Sequence, residues 1–197
     1  MTVETPTRLS PLSGWQDRLA QLSAGLLLRE LPFLTQLALR LRPGSPAAQA
    51  VESSLGITLP GPLRAEMSDD VKVLWMGPDE WLLVAPEGQQ DDLVAHLRVA
   101  IGDEFATVTD VSAQRTTLAL SGHLVRTVLA QGCAIDLDPR VTPVGSCLTT
   151  VLASAPITLV VRAEAASSVW LLVRSSFASY LATWLVDACT EYGGGTG

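Results

Sequence analysis

A four-residue string occurs twice in this chain, as Trp81-Leu82-Leu83-Val84 and as Trp170-Leu171-Leu172-Val173. Successive side chains of a strand point to opposite faces, so four apolar residues in a row suit a strand that meets water on neither face. Each copy runs on into an amphipathic helical pattern. The chain must therefore supply cover for both sides of two separate strands, and the repeat points to an architecture of two related units.

The pattern between and around the copies fills in those units. Residues 33–42 alternate, with Leu37, Leu39 and Leu41 facing one way and Gln36, Arg40 and Arg42 the other, which predicts a strand, with a helix as the competing reading. A short helix follows, with Ser45 as N-cap, Pro46 in its first turn and Gly56 beyond its end. Its inward residues are Ala47 or Ala48, Val51 and Leu55. Pro60-Gly61-Pro62 then breaks the chain. Val71–Met76 and Trp81–Ala85 read as a hairpin around Gly77-Pro78-Asp79-Glu80. A helix is predicted over 89–100 with Gly102 as its stop, and strands over 107–112 and 116–120. Ser121 is placed as the cap of a helix that buries Leu124, Val125, Val128 and Leu129. Strands follow near 147–153, 156–162 and 168–174. The last helix, capped by Ser175 or Ser176, carries Phe177, Tyr180, Leu181, Trp184, Leu185 and Ala188 on one face. Hairpins interleaved with helices define an α+β class with mainly antiparallel sheets, built from two ferredoxin-like strand–helix units. The expected organisation is a flexible N-terminal arm over 1–25, in which Trp15 and Leu19 can dock. It continues as one α+β domain of two intertwined pseudo-repeats over 26–192 and ends in a Gly-rich tail over 193–197.

Composition narrows the chemistry. The chain is 48% hydrophobic and 17% charged, enough for a large core with apolar surface left for a partner. No apolar run reaches the roughly 18 to 20 uncharged residues of a membrane span. Residues 1–18 are polar and lack a signal core, so a cytoplasmic location is expected. A net charge of −7 and a single lysine, Lys72, argue against nucleic-acid binding and leave a Lys-based phosphate loop without its lysine. No Gly-x-Gly-x-x-Gly fingerprint marks a dinucleotide site. Cys133, Cys147 and Cys189 read as reduced, mostly buried thiols. With His96 and His123 as the only histidines, they have no zinc-ligand spacing. Both histidines read as surface or cap-adjacent rather than catalytic.

Among the acids, Asp69/Asp70, Asp79/Glu80, Asp91/Asp92 and Asp103/Glu104 read as turn or helix-start residues. Asp136 and Asp138 share a face if extended, a weak cation site at best. Asp110 is the acid most worth following. It interrupts the apolar strand Val108-Thr109-Asp110-Val111-Ser112 with Arg115 close behind, which suggests a partly buried carboxylate held by Arg115 or by backbone amides. The tryptophans read as core or interface anchors, since no basic residues interleave with them to make a stacking surface for bases.

Four segments taken together resemble a known family. They are Leu74-Trp75-Met76-Gly77-Pro78-Asp79-Glu80-Trp81-Leu82-Leu83-Val84, Thr109-Asp110-Val111-Ser112 with Arg115, residues 129–137, and Val173-Arg174-Ser175-Ser176-Phe177-Ala178 with Tyr180 and Trp184. In this order they resemble the gamma subunit of heterotetrameric sarcosine oxidase, over about residues 28–192. The resemblance implies a fold like the folate-binding domain of aminomethyltransferases. It implies alpha, beta and delta subunits as partners, in a complex that oxidatively demethylates sarcosine to glycine. The other products are hydrogen peroxide and formaldehyde or methylene-tetrahydrofolate. Flavins, NAD and tetrahydrofolate are then expected in the partner subunits, with no cofactor in this chain and no catalytic, cofactor-binding or metal residue assigned to it. Asp110 matches an Asp-Val-Ser string of that superfamily and is read as structural. Two alternatives accompany this reading. One is a folate-dependent one-carbon transferase or folate-binding protein with Asp110 holding the pterin edge, and the other is the small subunit of a related N-methyl amino acid oxidase or dehydrogenase.

Overall fold

A computed structural model describes residues 8–20, 22 and 25–192. In chain order the elements begin with α1 (Gln16–Ala20), β1 (Leu27–Leu31), β2 (Thr35–Leu41), α2 (Pro46–Leu55), β3 (Ala65–Met67), β4 (Lys72–Gly77), β5 (Glu80–Ala85) and α3 (Gln90–Ile101). They continue with β6 (Ala106–Asp110), β7 (Arg115–Ser121), α4 (Val125–Ala130), β8 (Cys147–Leu152), β9 (Ala155–Ala163), β10 (Ser168–Arg174) and α5 (Ala178–Ala188).

The strands make two five-stranded antiparallel sheets, in the orders β3-β4-β5-β2-β6 and β8-β9-β10-β7-β1. These orders are the same once β2 is matched with β7, β3 with β8, β4 with β9, β5 with β10 and β6 with β1. The helices match too: α2 follows β2 as α4 follows β7, and α3 follows β5 as α5 follows β10. In the second sheet the outermost place is filled by β1, a strand from the N-terminal end of the chain.

Apolar side chains fall into three layers. Leu37, Leu39, Val73, Trp81 and Leu83 pack with Ala47 and Val51 of α2 and Leu97 of α3. Leu118, Leu159, Leu171 and Val173 pack with Val128 and Leu129 of α4 and Leu181 and Leu185 of α5. Between the sheets, Leu74, Leu82 and Val84 meet Cys147, Val160, Trp170 and Leu172. The result is helices, sheet, sheet, helices. Each sheet is covered on both faces, which is why its inner strands lack the alternation of a half-solvated sheet.

The repeated tetrapeptide occupies the matched strands β5 and β10, and both copies are buried. The copies are nevertheless out of phase. Trp81 and Leu83 face the helices, whereas Trp170 and Leu172 face the opposite sheet. With a period of two, an offset of one residue exchanges every facing. In facing, Trp81 and Leu83 thus correspond to Val169, Leu171 and Val173 rather than to Trp170 and Leu172. The indoles are satisfied differently: Trp81 Nε1–H donates to the Pro60 carbonyl at 2.9 Å, while the Arg162 guanidinium lies 4.2 Å over the Trp170 ring.

Several sequence expectations meet the structure at the level of single atoms. The Ser45 hydroxyl caps α2 by accepting from the Ala48 N–H at 3.3 Å. Gly56 closes the helix at φ 63°, a left-handed conformation that suits glycine. The β4–β5 hairpin turns over Pro78 and Asp79. Other expectations are corrected. Ser121 is the last residue of β7, paired with Leu27 and Ser168, and α4 starts later, flanked by Leu124 without a side-chain cap. The intervening Gly122 has φ 124°, and a Cβ there would lie 2.2 Å from the Gly25 carbonyl oxygen. The chain passes so close there that only glycine fits. At α5 the Ser175 hydroxyl donates to the Ala113 carbonyl instead of capping. The buried stripe of α5 is Ala178, Leu181, Ala182, Leu185 and Ala188. Phe177 and Tyr180, placed inward by periodicity, are exposed, and the three alanines take positions on the buried face.

Within the expected N-terminal arm, residues 8–20 are described and pack against the second sheet's helical layer. Leu12 is 1% exposed and Leu19 4% exposed, both inside the layer beneath α5, and β1 is a strand the hydrophobic pattern did not reveal. Residues 1–7, 21, 23 and 24 of the expected arm, and the expected tail 193–197, lie outside the described residues.

Candidate functional site

Asp110 ends β6, an outer strand, and is exposed. Its carboxylate accepts from the Ser112 N–H at 2.9 Å and from the Ser112 hydroxyl, a local turn that fixes the chain as it leaves the sheet. The partly buried Asp110–Arg115 pair expected from the sequence is not formed. An isolated strand period cannot say whether a strand lies inside or at the rim of its sheet, and here the rim exposes the acid.

Arg115 is half-buried and lies across from Arg174 in the β7–β10 register. Burial lowers the pKa of its guanidinium, and the neighbouring Arg174 charge lowers it further, against a smaller opposing pull from Glu80. Among the described residues no carboxylate forms an ion pair with it. Its carbonyl accepts from Gln36 Nε2 at 3.1 Å. Gln36 is buried in β2, and among the described residues its Oε1 has no partner, nor does the buried Thr117 hydroxyl two residues beyond Arg115. An open cleft of about 520 Å³, bordered by both apolar and polar side chains, lies between Leu9, Pro11 and Phe33 on one side and Ser112, Arg115 and Ser175 on the other.

Glu30 is a half-buried acid that sequence reasoning passed over. The Thr116 hydroxyl donates to Oε1 at 2.7 Å and the Ser10 hydroxyl to Oε2 at 2.7 Å. It borders an apolar cleft of about 250 Å³ beside Leu12 and Leu19, below the roughly 300 to 1,000 Å³ of most small-molecule sites. The only available signal was the string Leu27-Leu28-Arg29-Glu30-Leu31, too short and too charged to stand out as a strand.

The remaining candidates are spent locally. Asp136 Oδ1 accepts from the Asp138 N–H at 2.8 Å, and Asp138 takes the Arg140 N–H and Nε–H, both at 2.9 Å. Arg140 holds the Asp138 carboxyl below its usual range. The two acids build successive turns, and no cluster of three metal-ligating side chains occurs among the described residues. His96 Nε2 lies 3.2 Å from the Ser54 carbonyl, on the surface between α3 and α2. Cys147 sits between the sheets, where burial pushes its thiol up to about 12, and its Sγ donates to the Trp75 carbonyl at 3.5 Å. Burial also raises the Cys189 thiol, while Cys133 is half-exposed.

Two covered antiparallel sheets of matching strand order, with helices on their outer faces, define an α+β domain. Its fold is similar to that of part of the glycine cleavage system aminomethyltransferase T from Bartonella henselae. That likeness has a TM-score of 0.61 at 17% identity over 90% of this chain and 50% of that one. The sarcosine oxidase, gamma subunit family matches residues 43–191, and the chain belongs to that family. It is 40% identical to the sarcosine oxidase subunit gamma of Corynebacterium sp. (strain P-1), over 95% of this chain and 93% of that one. It is 38% identical to the subunit gamma of an Arthrobacter species over the same shares. Among solved structures, it superposes on a chain of the heterotetrameric sarcosine oxidase from Corynebacterium sp. U-96 in complex with pyrrole 2-carboxylate. The TM-score there is 0.87 at 36% identity, with 96% of this chain and 98% of that one covered.

Proposed function

We propose that this chain is the gamma subunit of a heterotetrameric sarcosine oxidase. In this reading it assembles with alpha, beta and delta subunits and carries no active site of its own. The observation that carries the reading is the end-to-end match with a chain of such an enzyme, 98% of which is covered at a TM-score of 0.87. A shared fold alone would also include aminomethyltransferases, but there the match takes in only half of the partner chain. The complex would demethylate sarcosine oxidatively to glycine, releasing hydrogen peroxide and formaldehyde or methylene-tetrahydrofolate. Flavins, NAD and tetrahydrofolate would reside in its partners, and the assembly would be cytoplasmic. No helix among the described residues is long and apolar enough to cross a membrane. The exposed, turn-bound Asp110 gives the transferase alternative no buried carboxylate for a pterin edge.

Co-expression with the genes for the large subunits tests this reading. The expected result is co-purification and oxygen uptake with sarcosine. A faster reaction with N-methylglutamate would instead assign the chain to a related oxidase. Calorimetric binding of a reduced folate to this chain alone, abolished by Asp110→Ala, would establish the transferase reading.

A further inference from the structure

The geometry points to the outer edge of β6 as a docking site for an extended, basic segment of a partner subunit, which would add to the sheet as a sixth strand. This inference rests on the reading of the chain as part of a larger assembly and names the surface involved.

Each sheet has two outer strands, and three of the four are attended by other parts of the chain. The Ala65 N–H on β3 donates to the Gly145 carbonyl at 2.8 Å. On β8, the Cys147 N–H donates to the Leu63 carbonyl at 2.9 Å, and just beyond the strand the Ala153 N–H donates to the Gly132 carbonyl at 2.9 Å. Along β1, Ser10 reaches Glu30, with Leu12 and Leu19 of the N-terminal segment packed into the same layer. Among the described residues β6 pairs with β2 alone. The Val111 N–H donates to the Gln36 carbonyl at 2.9 Å, and this bond sets the phase of the ladder. Alternation then turns the backbone groups of Thr109 and Thr107 toward β2 and those of Ala106, Val108 and Asp110 outward. Among the described residues those outward groups have no hydrogen-bond partner.

The surroundings match an incoming strand. An open cleft of about 510 Å³ runs along the edge between Arg98, Gly102 and Glu104 and residues 106–109. Phe105, immediately before the strand, is 93% exposed, and Val99 on α3 is 83% exposed, the two most exposed large apolar side chains among the described residues. An extended partner segment would take its main-chain bonds from the edge and its side-chain contacts from such apolar anchors.

Charge selects the partner. Asp103, Glu104 and Asp110 surround the edge and form no ion pair among the described residues, while Arg98 is the single cation along the cleft. A second copy of this chain would bring three more carboxylates against these three. A segment carrying Lys or Arg beside an apolar residue would neutralise them.

Hydrogen exchange of the co-purified complex reads the edge directly. In the complex, the outward amides of Val108 and Asp110 are expected to exchange at least about tenfold more slowly than in the chain alone, because they gain partners. Phe105→Asp is expected to weaken assembly about tenfold, the size of an interface hot spot. Phe177→Asp, which places the same charge at another exposed aromatic, is expected to leave it unchanged. A complex in which the outward amides stay unprotected and Phe105→Asp assembles normally overturns the docking site while leaving the gamma-subunit reading intact. A dimer of this chain alone that Phe105→Asp dissolves overturns the hetero-partner. Failure to form any complex overturns both.

Discussion

β1 and β6 hold the same outermost place in two sheets of the same order, yet the chain treats them differently. β1 lies beside the N-terminal segment, whose Leu12 and Leu19 complete the core beneath α5. Among the described residues, β6 has no such segment beside it. It leaves Thr107, Thr109 and Asp110 in solvent, with Phe105 exposed just ahead of it. One topology thus yields a half closed by its own chain and a half left open at its rim. Strand order is set by the chain path and the buried faces, whereas edge protection depends on segments outside the repeat.

The largest effects should separate the closed half from the open one. Leu12→Ala and Leu19→Ala are expected to cost about 2–5 kcal/mol each, since each removes a buried side chain and leaves a cavity. Phe105→Ala is expected to stay within about 0.5 kcal/mol in the isolated chain. Denaturant melts of the three variants make that comparison, and equal losses would erase it.

The layer between the sheets carries its own signature in alkali. Cys147 titrates near 12 in the folded chain, against an ordinary value of 9.0. Its raised value means that folding favours the neutral thiol, so this stabilisation is complete below pH 9. It is expected to decline as pH rises toward 12, by up to a few kcal/mol at the roughly 1.4 kcal/mol per unit of linkage. Melts between pH 8 and 11 should show the decline, and Cys147→Ala should flatten it. In native thiol labelling, the half-exposed Cys133 should react first.

The two tryptophans sharpen the comparison further. Trp81→Phe strands the Pro60 carbonyl and is expected to cost about 1–3 kcal/mol. Trp170→Phe keeps an aromatic face beneath Arg162 and should lose less, with a cation–π share of about 1 kcal/mol or below. A change of the opposite sign is expected at Thr117, whose buried hydroxyl has no partner among the described residues. Thr117→Val is expected to be neutral or stabilising by up to about 1 kcal/mol. A clear loss of stability would mean that the hydroxyl is bonded after all.

These contrasts also mark how far the sequence could be read. Ser45, Pro46 and Gly56 act within a few residues of one another, so the α2 boundaries were legible to the residue. The hairpin at Pro78-Asp79 and the doubly buried β5 and β10 were legible for the same reason. The phase of the repeated tetrapeptide was not, because only pairing with β2 and β7 decides which face each indole takes. Nor was β1, whose five residues include Arg29 and Glu30 and owe their strand form to pairing with β7 across the chain. Asp110 was misplaced for a related reason: an apolar neighbourhood in sequence became a sheet rim in space. The family resemblance was legible from four separated segments, while the asymmetry between the two rims appears only in three dimensions.

Native mass spectrometry of the large subunits co-expressed with this chain tests the account most directly. The account predicts an assembly containing one copy of this chain, with sarcosine-dependent oxygen uptake that is reduced or lost in preparations made without it. A fully active assembly that never incorporates the chain, with the chain itself recovered as a stable monomer, would contradict it.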